Sequence, residues 1–160
     1  MPRSFSGCDR QVWNFVAVGR SVSEHRLKLI GEDGLVHSQV SIRATQMNGE
    51  CVISVTDGTG VGERFSGQDF FSALAVFSDF LGRAGLKPAC LGAVLFVYPS
   101  GMCRDMGLGL SAYLLKKGQK QASKDDLVNI FDPLPSDFPL ELLVSPEEQE
   151  RYRMELIKGE

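Results

Sequence analysis

Residues 35–45, LVHSQVSIRAT, put Val36, Val40 and Ile42 on one parity and His37, Gln39, Ser41 and Arg43 on the other. A helix would scatter these two sets around its axis, whereas a strand sends successive side chains to opposite faces. The segment is therefore predicted to be a strand with one dry and one wet face, as in an antiparallel sheet covered on one side. QVWNFVAV (11–18) repeats the alternation, setting Val12, Val16 and Val18 against Trp13, Phe15 and Ala17. A turn over 19–23 then leads to HRLKLI (25–30), and CVISVT (51–56) reads as a further strand. GEDG (31–34) and MNGE (47–50) supply the hairpin loops, the second through an Asn-Gly pair. Residues 1–57 are thus expected to form a β-meander.

The period changes at residue 66. In SGQDFFSALAVFSDFLGRAG (66–85), Phe70, Leu74, Phe77 and Leu81 recur at helical spacing and are joined by Phe71 and Phe80. Ser66 and Asp69 stand in capping-box spacing, and Gly85 supplies a stop. ACLGAVLFV (89–97) is apolar throughout, as a central strand buried on both faces would be. LGLSAYLLKK (108–117) alternates, and DLVNIFD (126–132) reads as one more short strand. Three prolines in DPLPSDFPLELLV exclude a regular helix or central strand there. SPEEQERYRMELIK (145–158) has Ser145 as N-cap, Pro146 at the first helical position and Glu148 closing a capping box. Its thin apolar stripe places it at the surface or against a partner. The expected fold is α+β, one domain over 1–160 with a mainly antiparallel sheet of six to seven strands beginning as a meander. One amphipathic helix (66–85) packs on that sheet, strands follow across 89–132, and 133–160 carries the Pro-rich segment and a peripheral acidic helix.

A chain of 160 residues, 43% apolar and 23% charged, is long enough to bury a core. MPRSFSGCDR lacks the apolar centre of a secretory signal, and no apolar run approaches the roughly 18 residues of a membrane span. A cytoplasmic location is expected. Cys8, Cys51, Cys90 and Cys103 form no Cys-x-x-Cys pair, so zinc spacing is missing and no metal or cofactor is expected. TDGTGVGERFSG (56–67) has Glu63 where a dinucleotide-binding loop needs its third glycine, and it lacks a Gly-Lys-Ser/Thr ending. It reads as a flexible connection from strand to helix. The longest basic cluster is Lys116-Lys117, too short for a nucleic-acid surface. Residues 120–160 hold ten acids and five bases, against ten acids and twelve bases in 1–119. That acidic C-terminal quarter favours a basic protein partner.

The stretch YPSGMCRDMGLGLSAY (98–113) collects glycines, two methionines, a cysteine and an Arg-Asp pair. Pro99 and Gly101 occupy the second and fourth places of a type I turn, which would present MCRDMG between two strands. Met102 suits either surface or core, and Met106 is expected to fill core space beneath the turn. Tyr98-Pro99-Ser100-Gly101-Met102, Met106-Gly107-x-Gly109, Ala112-Tyr113 and DLVNIFDP (126–133) together resemble a group of small bacterial proteins, the similarity lying mainly in 67–133. The resemblance implies an immunity component of a toxin–immunity system, including those served by type VI or contact-dependent secretion. Such a protein is a cytoplasmic binder that occludes a cognate toxin domain, for instance a nuclease. Where that group carries CNGAR, this chain has CLGAV (90–94) and so lacks the Asn-Arg pair.

The candidate partner-binding residues are Met102, Arg104, Asp105, Asp125, Asp126, Asp132, Asp137, Glu141, Glu147 and Glu148, whose carboxylates would meet a basic toxin cleft. No catalytic residue is assigned. The alternative is a small enzyme or ligand-binding domain using the 58–67 and 98–109 loops, with Cys103, Arg104 and Asp105 at its centre. A third option is a scaffold subunit whose C-terminal helix docks into an oligomer.

Overall fold

The structure is a computed structural model that describes residues 20–60, 62–115 and 124–158. The strand expected over 11–18 lies outside them, as do Cys8 and the Lys116-Lys117 pair. Five strands form an antiparallel sheet in the order β4-β3-β2-β1-β5: β1 (Arg20–Gly31), β2 (Val36–Met47), β3 (Glu50–Thr56), β4 (Gly62–Gly67) and β5 (Leu86–Pro88). A second sheet pairs β6 (Val97–Tyr98), β7 (Ser111–Leu114) and β8 (Leu127–Asn129) in sequence order. Helices α1 (Phe70–Gly82), α2 (Gly101–Gly107) and α3 (Pro146–Lys158) complete an α+β fold. Among the described residues, eight strands in two sheets replace the single sheet of six or seven.

The meander follows the alternation. Val40, Ile42 and Ala44 of β2 are buried with Leu27 and Leu29 of β1, while Gln39, Ser41, Arg43, Arg26 and Lys28 face water. Val36 departs from its set because it lies at the hairpin tip, beyond the core, and is 54% exposed. Asn48 (φ 49°) and Gly49 (φ 81°) make the two-residue turn whose left-handed backbone matches the twist of β2 and β3. β1 also runs through the turn expected over 19–23. Strand β2 extends to Met47 and offers ladder partners to Arg20, Ser21 and Ser23, with Val22 accommodated as a bulge.

The glycine-bearing connection is in fact strand β4, paired with β3 from Cys51↔Gly67 to Thr56↔Gly62. Its signal is faint because Phe65 is its one buried large apolar side chain. Phe65 meets Phe77 and Phe80 of α1 at ring-centroid distances of 5.1 and 5.2 Å. Ser66 therefore belongs to β4, and Asp69 alone caps α1, its carboxylate accepting from the Ser72 N–H at 2.7 Å. Phe70, Phe71, Leu74, Phe77 and Leu81 then bury against the sheet as the spacing predicts.

Residues 89–97 are apolar for a different reason from the expected one. They form a tight 3-10 turn at Leu91–Ala93 that is walled in by α1 and by the Pro-rich 130–144 segment, and they join a strand ladder only at the end, where Val97 of β6 pairs with Leu114 of β7. Gly92 sits where a Cβ would meet Leu74 Cδ2 at 2.5 Å and Ile130 Cβ at 2.8 Å. The backbone of this segment bonds to Ile130, Asp132 and Leu142, and the Val144 N–H returns to Ala93. Its inward carbonyls draw further donors, that of Val94 in addition to the Val97 N–H it already accepts at 3.1 Å. Gln149 of α3, 4% exposed, supplies them: its Nε2 donates to the carbonyls of Gly92 (2.9 Å), Val94 (2.8 Å) and Val97 (3.3 Å). The expected capping box starts α3, with Glu148 N–H donating to Ser145 Oγ at 3.2 Å and Ser145 N–H donating to Glu148 Oε1 at 3.3 Å. Among the described residues no helix is long and apolar enough to cross a membrane.

Gln149→Leu keeps the volume but strands buried carbonyls, so it should lower stability by about 2–3 kcal/mol. The readout is a lower urea midpoint at unchanged slope, and an unchanged midpoint would show that α3 is not held this way.

Candidate functional site

Where the sequence suggests only a turn, the stretch 98–109 holds the helix α2. Ser100 lies in extended backbone and its Oγ accepts from the Cys103 N–H at 3.1 Å, which starts α2 one residue after it. At the other end Leu108 (φ 58°) and Gly109 (φ 72°) are both left-handed, and the Gly109 N–H closes on the Cys103 carbonyl at 2.9 Å. Leu108 adopts a backbone that disfavours side chains, and this aims its carbonyl at the Phe70 N–H, 2.7 Å away. One of the unpaired N–H groups at the start of α1 is satisfied by that contact. Gly109 is required twice over, since a Cβ there would also lie 3.0 Å from the Asp69 side chain.

Arg104 occupies the inner face of α2. Its Nη1 donates to Asp69 Oδ2 at 2.8 Å and to Ser72 Oγ at 3.2 Å, and its guanidinium lies 5.3 Å from the ring centroids of both Phe71 and Tyr98. Asp69 is 5% exposed and Arg104 is half-buried, so the carboxylate end of the pair is shielded from water while the guanidinium keeps partial contact with it. On the same Tyr98 ring sits Arg153 of α3, at 4.8 Å, which is doubly hydrogen-bonded to Glu150 at 2.8 and 3.1 Å. The Arg153 hydrogen bond holds the Glu150 carboxyl below its ordinary range, with a bond from Tyr98 and the charge of Arg104 adding to it. Asp69, Arg104, Tyr98, Arg153 and Glu150 thus tie α1, α2, β6 and α3 together. Sequence reasoning placed Arg104 on a partner surface, and its partner is Asp69, 35 positions earlier.

With Arg104 turned inward, Met102 and Met106 point outward one turn apart, 71% and 81% exposed. Met106 is therefore not core filler, because a helix carries it to the face opposite Arg104. Asp105 is exposed beside them, and Cys103 is half-buried on the flank. The remaining candidates are spread along the chain. Asp125 is exposed and Asp126 buried in the turn before β8, so Asp126 contributes nothing to an outer acidic face. Asp132, Asp137 and Glu141 are exposed in and around the Pro-rich segment. Glu147 pairs with Arg151 at 3.3 Å, and Glu148 is engaged in the α3 capping box.

The histidines are committed elsewhere. His37 bonds Asp33 at 3.0 Å in the β1–β2 hairpin, while His25 bonds Ser23 and lies 4.9 Å from the Phe131 ring. The turn before β4 closes on itself, with Asp57 Oδ1 accepting from the Thr59 N–H and Oγ1. Burial pushes the Cys90 thiol up to about 12. Among the described residues, no group of three or more histidine, cysteine or carboxylate side chains is placed to hold a metal ion. No protein-family model matches this sequence, and no curated protein does.

Burial lowers the His25 pKa below its ordinary 6.5, against an opposing pull from Asp132. The unfolded chain then takes up this proton first. Its contribution to stability is full above 6.5 and is lost as pH falls through that value towards the lower folded one. Between about pH 7.5 and pH 5 the parent should lose more stability than His25→Phe, measured by urea midpoints. Parallel pH profiles would contradict this.

Proposed function

We propose that this chain is a binding protein of the immunity type, which covers a cognate toxin domain in the cytoplasm and blocks its action. The observation that carries the reading is the outward pair Met102 and Met106 on a helix that is fixed at both ends and along its inner face. Two large apolar side chains that expose most of their surface one turn apart suit a contact face, where methionine is enriched and adapts to its partner's shape. Fixing the helix beforehand reduces the ordering cost of association. The acidic balance of residues 120–160, ten acids to five bases, would speed encounter with a basic toxin surface. The similarity of 98–113 and 126–133 to immunity components points the same way.

The enzyme alternative began from Cys103, Arg104 and two glycine loops. Arg104 is ion-paired with Asp69, both histidines are engaged on the five-stranded sheet, and the loops are a strand and a capped helix. These commitments favour binding over turnover.

Co-expression should protect cells from the toxic domain encoded next to this chain, and the two products should co-elute. Met102→Asp combined with Met106→Asp should abolish both protection and co-elution. The two exposed substitutions should change stability by less than about 0.5 kcal/mol. Failure of the parent to protect or co-elute would refute the reading, and an unaffected double variant would remove α2 from the interface.

A further inference from the structure

Met102, Cys103 and Met106 place three sulfur atoms on α2 at positions i, i+1 and i+4. With 3.6 residues to the turn, these positions fall within an arc of about 100°. Arg104 lies about 200° round from Met102, across the helix, and that is the side pinned to Asp69. The exposures agree: Met102 and Met106 are open, and Cys103 is half-buried at the edge of the same arc. A helical methionine commonly leans back over the preceding turn, the direction in which positions 102 and 103 lie from Met106. Flexible thioether arms one turn apart can close on a single ion.

We infer that Met102, Cys103 and Met106 form a site for a soft monovalent cation, cuprous copper. Thioether and thiolate sulfur select Cu(I), whereas zinc takes thiolate, imidazole and carboxylate, and calcium and magnesium take oxygen. Cys103 is in no disulfide. As its sulfur bonds the ion, the thiol proton leaves to solvent; copper stays in the +1 state and no electron moves. The thiolate cancels the ionic charge and the two thioethers are neutral. Exposed Asp105 lies beside the site, and the nearby guanidinium of Arg104 is already balanced by Asp69. The donors are side chains on the outer face, supported by the Ser100 cap, the Gly109 closure and the Arg104 anchor.

The test is an anaerobic titration of the full chain with Cu(I) against the chromogenic chelator bicinchoninate. A Cys8→Ser background removes the thiol outside the described residues. The parent should hold one copper per chain in competition. Met102→Leu with Met106→Leu should bind about 10–100-fold more weakly, at least what losing a ligand's supporting partner costs, and Cys103→Ser weaker still. With Ag(I) as a second probe, the methyl resonances of Met102 and Met106 should shift and that of Met47 should not. Complete loss of copper from the parent to the chelator, or a leucine pair that binds as tightly as the parent, would overturn the site. Copper is titrated on the chain alone with no toxin present, so a failure of copper binding and a failure of toxin protection are read separately.

Discussion

The Asp69 carboxylate joins two jobs that the rest of the structure relies on. One oxygen accepts from the Ser72 N–H and starts α1, and the other accepts from Arg104 and holds α2 against that start. A carboxylate this buried would be costly if unpaired, and these two contacts together offset its burial. A buried ion pair is weak evidence of net stability, since well-packed apolar residues often serve as well. What Asp69 and Arg104 supply is position: they set which face of a seven-residue helix looks inward. A helix that short does not hold its shape alone.

A second joint makes the same use of a polar group. Residues 89–96 turn through the core before β6 begins, and Gln149 reaches from α3 to donate to the carbonyls of Gly92, Val94 and Val97. The two joints meet at Tyr98, whose ring carries Arg104 from one helix and Arg153 from the other. The apolar core closes around α1, while these polar contacts decide how α2 and α3 are set upon it.

Local signals were legible wherever one element carries its own reason. The alternation in β2, the Asn48-Gly49 turn, the phenylalanine spacing of α1 and the Ser145–Glu148 box all survive in the structure. The misreadings share a cause: the deciding partner lies outside the segment itself. Phe65 is too little to announce β4 without β3 beside it, and a continuous apolar run says that 89–97 is buried but not in what shape. Pro99-Ser100-Gly101 suits a turn as well as a helix start, and the Arg104–Asp69 contact adds to the Ser100 cap in favouring the latter. The same contact moves Arg104 from surface to interior and turns Met106 outward.

The functional account rests on α2 being a fixed platform before any partner or ion arrives. Amide hydrogen exchange measures this directly, because the Arg104 and Gly109 N–H groups close the two ends of the helix. In the parent both should be protected, and replacing Arg104 with methionine should expose them while amides in β2 and β3 exchange as before. Unprotected Arg104 and Gly109 amides in the parent, or protection that survives the loss of the guanidinium, would contradict the account.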